Sequence, residues 1–70
     1  MTPIRAEMVA KVVEVVAAVG QDVLPGDTVL VLESMKMEIP VLAETAGRID
    51  QLTVSEGTTV AEGEVLVVLE

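Results

Sequence analysis

The chain repeats itself. Displaced by thirty-seven residues, AKVVEVVAAVGQDVLPGDTVLVLE (Ala10–Glu33) overlies GRIDQLTVSEGTTVAEGEVLVVLE (Gly47–Glu70). Gly20, Val23, Gly26, Val31, Leu32 and Glu33 meet identical partners in Gly57, Val60, Gly63, Val68, Leu69 and Glu70. Lys11/Arg48, Val12/Ile49, Val15/Leu52 and Asp27/Glu64 are conservative pairs. Two valine-rich stretches can resemble each other by chance, but a shared glycine–valine–glycine spacing argues for a true repeat. Glycine reaches positive φ without strain, so each glycine pair marks turn corners. The flanking strands are predicted at Lys11–Val16 and Thr28–Glu33, and at Arg48–Val54 and Glu64–Leu69. Two copies of such a unit imply an approximate two-fold axis. Neither half has enough strands to bury a face alone. Packed together, the halves share one core. The expected fold is all-β: a single domain over 1–70, a flattened antiparallel barrel or sandwich of two quasi-symmetric halves, about 10–33 and 47–70.

Composition supports strands over helices. Half of the 70 residues are apolar, none is aromatic, and fifteen are valine. β-branched side chains suit a pleated surface. A helix over Val9–Val19 is the competing reading of that segment. It is disfavoured because VVEVVAAV offers no polar face at helical period and runs into Gly20. With no Cys and no His, there is no disulfide, no thiol chemistry and no Ser/His/Asp or Cys/His set. No metal cluster or phosphate loop is evident, so neither catalytic nor metal-binding residues are expected. The net charge of −8 is the wrong sign for nucleic acid or an anionic membrane surface. The first residues carry no signal-peptide pattern and no apolar run reaches spanning length, so a cytoplasmic protein is expected.

The remaining segment, Ser34–Ala46, lies outside the repeat and opens with Ser34-Met35-Lys36-Met37. A two-residue loop at Met35-Lys36 would pair Ser34 with Met37, Glu33 with Glu38, Leu32 with Ile39, Val31 with Pro40 and Leu30 with Val41. Leu32/Ile39 and Leu30/Val41 are then apolar pairs on one face, as a half-buried hairpin needs. Glu33 opposite Glu38 is a mildly unfavourable like-charge pair. Pro40 fits an edge strand or an outward-facing nitrogen. Such a loop normally takes Asn-Gly or Gly-X. Met-Lys there implies strain of order 1 kcal/mol or more per residue, and so a need for those side chains. The plainer reading is a surface lysine in an ordinary turn, with Met35 and Met37 partly in the core. Glu33 and Glu38 could also be imagined as paired carboxylates for acid–base work, though a bare hairpin offers them no pocket.

Glu33-Ser34-Met35-Lys36-Met37 resembles the attachment motif of biotinyl (biotin/lipoyl attachment) domains, commonly (Ala/Ser/Val)-Met-Lys-Met. The resemblance runs from about Arg5 to Glu70 and is greatest to short biotin attachment proteins. Gly20, Gly26, Gly47, Gly57 and Gly63 stand where this family has turn or bulge glycines. Ala10 replaces a frequent Gly and Glu44 a frequent Pro. No insertion separates Val16 from Gly20, so no protruding thumb is expected. The resemblance implies a barrel-sandwich hybrid with the lysine on a tight hairpin between the halves. It implies biotin joined by an amide to Lys36, with Glu33, Ser34, Met35, Met37 and Glu38 as recognition residues for a biotin ligase. Lys11, the other lysine, lies within a predicted strand and is a poor acceptor. The implied role is a biotin carboxyl carrier, not an enzyme: a mobile arm between a biotin carboxylase and a carboxyltransferase, with acyl-CoA or keto-acid acceptors. A monomer is expected in isolation. Two other readings remain, a lipoyl carrier, whose usual Asp-Lys-Ala is absent here, and an unmodified adaptor module.

Overall fold

The computed structural model describes residues 1–70 and consists of strands and turns, with no helix. Eight strands follow in order: β1 (Thr2–Arg5), β2 (Ala10–Val15), β3 (Asp22–Val23), β4 (Thr28–Ser34), β5 (Met37–Leu42), β6 (Gly47–Leu52), β7 (Thr59–Val60) and β8 (Val65–Leu69). They form two four-stranded antiparallel sheets, β1-β8-β6-β3 and β5-β4-β2-β7. The halves interlock. β3, from the first copy, pairs with β6 of the second, and β7 pairs with β2. The helical alternative for Val9–Val19 gives way to β2, whose Ala10 and Val12 point into the core.

The four long predicted strands are present with ends shifted by one or two residues. Three strands were not anticipated. β3 and β7 are two residues long, too short for any periodicity to register. They carry the valines midway between the glycines, and Val23 and Val60 are both buried. The third, β1, corrects the extent of the repeat. At the same thirty-seven-residue offset it is the twin of β5, with Pro3/Pro40, Ala6/Ala43 and Glu7/Glu44 identical. The backbone repeats the relation: Ala6 N–H donates to Glu64 O and Ala43 N–H to Asp27 O, at 2.9 and 2.8 Å. Ser34–Ala46 is thus not an insertion between two halves. Its Met37–Leu42 stretch is the opening strand of the second half. β1 and β5 are both edge strands, where a proline costs no ladder bond and discourages pairing with another chain.

Bulges explain a pattern that simple alternation cannot. Val29 and Leu30 are adjacent yet both buried, as are Leu66 and Val67. Successive strand residues should face opposite ways. The register slips between Thr28 and Leu30 against β5, and at the twin position between Ile4 and Arg5 against β8. One extra residue at each slip turns a neighbour inward. A second twin pair of slips falls at Val13 and Asp50. The core that results holds fourteen buried side chains, all Ala, Val, Leu or Ile, with no buried polar group.

The glycines divide into two kinds. Gly20, Gly26, Gly57 and Gly63 have φ between 85° and 93°, so they are the turn corners expected. Gly47 is not a turn or bulge glycine; it opens β6 and pairs with Val23. A Cβ there would meet Leu69 Cβ at 3.5 Å, an ordinary contact, and its twin Ala10 already carries one. Gly47→Ala is therefore expected to be neutral or to stabilise by up to about 1 kcal/mol, through reduced freedom of the unfolded chain. Gly26→Ala should destabilise by about 1–2 kcal/mol, because φ of 93° strains an L-residue even in open space. Urea melts of the two variants would read opposite displacements of the midpoint.

Candidate functional site

β4 and β5 are joined by a loop of two residues, Met35 and Lys36. The hairpin register is the expected one: Ser34↔Met37, Glu33↔Glu38, Leu32↔Ile39, Val31↔Pro40 and Leu30↔Val41. Its apolar rungs anchor it. Leu30 and Leu32 are buried, Val41 is half-buried against the core and Ile39 is half-buried. The turn itself is held by the shortness of the connection. Met35 and Lys36 have φ of 54° and 65° and are the only non-glycine residues with positive φ. That is the backbone of a type I′ turn, built from two residues that do not favour it.

Those two residues are costly in backbone terms and contribute nothing to the core. Met35 is 91% exposed and Met37 65%. Neither is partial core, so packing does not explain either methionine. Lys36 is exposed. The one salt bridge of the chain joins Arg48 and Asp22 at 3.3 Å, far along the sequence from the hairpin. The Lys36 amine is engaged by no carboxylate and is open to a reagent arriving from solvent. Glu33 and Glu38 face each other on the outer surface and Ser34 is half-buried at the base of the turn. All six residues named for this site thus gather on one hairpin. Lys11 is also exposed, but it lies within the inner strand β2, in a cross-strand row between Glu33 and Thr59.

The strain predicts a trade between stability and recognition. Asn accepts the left-handed conformation with little penalty. Met35→Asn should therefore stabilise the domain by about 0.5–1 kcal/mol. It also removes the apolar side chain beside Lys36. A thermal melt displaced upward is the expected result, and under the attachment role that the resemblance implies, slower modification of Lys36 in a ligase assay accompanies it.

The hairpin is not a pocket. A groove of ≈ 930 Å³ lies instead between the edge strands β1 and β5, with Ile4, Leu32, Ile39 and Leu69 among its lining residues. It was not legible beforehand because β1 was not read as a strand. Lys36 does not line it. The geometry presents the Lys36 amine outward on a fixed support, away from the groove.

Comparison with known proteins agrees with this geometry. The family model for biotin/lipoyl attachment, described as biotin-requiring enzyme, matches residues 2–69. A biotinylated protein TB7.3 homolog of Mycobacterium leprae is 47% identical over 66 residues, covering 94% of this chain and 93% of that one. A single-chain, multi-domain long-chain acyl-CoA carboxylase superposes with a TM-score of 0.87 at 37% identity; the match covers 93% of this chain but 7% of the carboxylase. The lipoyl domain of the 2-oxoglutarate dehydrogenase complex of Azotobacter vinelandii superposes at 0.76 with 31% identity, covering 89% of this chain and 78% of the domain. The chain belongs to the family of biotin/lipoyl attachment domains found in biotin-requiring enzymes.

Proposed function

We propose that the chain is a biotin carboxyl carrier whose Lys36 is the attachment residue. The observation that carries this reading is the exposed amine at the tip of a strained two-residue turn, flanked by two exposed methionines. The neutral amine of Lys36 attacks an activated carboxyl of biotin, forms an amide and releases the activating group. Met35 and Met37 offer apolar, polarizable contacts to the ligase, and Glu33, Ser34 and Glu38 frame them. Biotin, when bound, carries a carboxyl group between a biotin carboxylase and a carboxyltransferase. The hairpin holds the arm at a fixed exit point, and tethering keeps its local concentration high at both partner sites. Activation of biotin consumes ATP, which supports a cytoplasmic protein. Pro3 and Pro40 on the edge strands β1 and β5 support a monomer.

A lipoyl carrier is the second reading, favoured by the likeness to the lipoyl domain. Met-Lys-Met in place of Asp-Lys-Ala weighs against it. The deciding measurement is intact mass after incubation with biotin, ATP and a biotin ligase, with peptide mapping around residue 36. One added biotin on Lys36 is expected. A folded protein that gains nothing would reject the biotin reading. The same assay with lipoate and a lipoyl ligase would then separate the lipoyl carrier from an unmodified adaptor.

A further inference from the structure

We propose that Met35 and Met37 form a peroxide-sensitive gate on the loading of Lys36. The inference rests on the carrier reading above and extends it to regulation. The chain contains no Cys, no Trp and no Tyr, so methionine thioethers are its readily oxidised groups. There are four. Met1 is at the terminus and Met8, in the β1–β2 connection, is 36% exposed. Met35 and Met37, at 91% and 65%, are the most exposed thioethers away from the terminus, and they stand on either side of Lys36. Oxidant in solution therefore meets the hairpin before any other internal thioether.

The chemistry is balanced without a cofactor. The thioether sulfur donates a lone pair to one oxygen of hydrogen peroxide. The O–O bond breaks, the sulfoxide forms, and hydroxide leaves to take up the proton as water. Sulfur loses two electrons and the peroxide gains them. A methionine sulfoxide reductase reverses the change with thiol electrons, leaving thioether, water and a disulfide on the reductant side.

The consequence is local. Sulfoxidation replaces an apolar side chain by a polar one. Neither side chain is in the core, so the fold and its stability persist. The surface that a ligase must cover to reach Lys36 does not. Loss of an apolar contact there lowers the loading rate about tenfold. Apo-protein would thus load slowly under peroxide and recover when the sulfoxides are reduced.

The test compares the apo-protein before and after brief hydrogen peroxide treatment, with the oxidant removed by catalase and desalting. Peptide mapping locates the added oxygens, a thermal melt monitors the fold, and a biotin ligase with biotin and ATP measures loading. The expected result is sulfoxide at 35 and 37 ahead of 8, an unchanged melt, and about a tenfold slower loading. Treatment with methionine sulfoxide reductases and a thiol reductant should restore the rate. Met35→Leu/Met37→Leu keeps both positions apolar and should load at the same rate before and after peroxide. Equal loading of oxidised and untreated wild-type protein, or oxidation of Met8 first, overturns the proposal alone. Untreated protein that takes no biotin overturns the carrier reading and this proposal with it.

Discussion

Lys36→Arg is expected to fold as the parent does and to take up no biotin at all. The amide requires a primary amine that can shed its proton, and guanidinium remains protonated throughout the accessible pH range. Charge is kept, so the surface potential around Glu33 and Glu38 does not change sign. The side chain is exposed and lies outside the core, so stability should move by no more than about 0.5 kcal/mol. The positive φ of 65° at this position strains arginine as much as lysine. The variant still contains Lys11, which is solvent-exposed and chemically equivalent as an amine. What Lys11 lacks is a hairpin: it is the second residue of β2, paired across strands with Glu33 and Thr59. If placement rather than chemistry selects the acceptor, intact mass of Lys36→Arg after ligase treatment shows no addition. Lys11→Arg, by the same reasoning, loads fully. Biotin mapped to residue 11 in the first variant would defeat the assignment of the site.

The sequence was most informative where a residue type is demanded by backbone geometry. The four positive-φ glycines revealed the corners, and through them the two-fold repeat. The hairpin register followed from supposing a two-residue loop at Met35-Lys36, which sets two apolar pairs on one face, and the structure reproduces it rung for rung. Three things were illegible for identifiable reasons. β3 and β7 are too short to show alternation. The twin bulges at Val29 and Leu66 place adjacent apolar residues inside, which a period of two reads as ambiguity. The relation of β1 to β5 rests on Pro3/Pro40, Ala6/Ala43 and Glu7/Glu44, and it is faint because neither stretch holds a glycine to mark a shared turn. Gly47 was grouped with the turn and bulge glycines by the family resemblance alone, whereas it opens β6. Exposure was also out of reach. Two methionines beside apolar strands can equally be core or surface, and only the turn geometry puts them both in water.

Leu30→Ala carries the largest expected effect on the fold. Leu30 is fully buried at the centre of β4, opposite Val15 on β2 and Val41 on β5. The bulge at Val29 turns it inward, and β2 and β5 on either side leave little room for relaxation. Truncation should therefore cost about 3–5 kcal/mol. A domain of this size has about 5–10 kcal/mol in total, so the variant should lose a large fraction of it and melt about 15–25 °C lower. Its twin Val67 is as buried, but Val67→Ala removes fewer carbons and should cost about 2–3 kcal/mol. If the two halves share one core, each substitution lowers the single cooperative transition, and no half survives alone. A biphasic melt, or a midpoint unchanged by Leu30→Ala, would contradict a shared core. Loading by the ligase supplies the second readout. Lys36, Met35 and Met37 are all intact in Leu30→Ala, yet their geometry depends on the rungs beneath them. Biotinylation should be retained in the cold and fall away with the melt, in contrast to Lys36→Arg, where the fold remains and the chemistry is gone at every temperature.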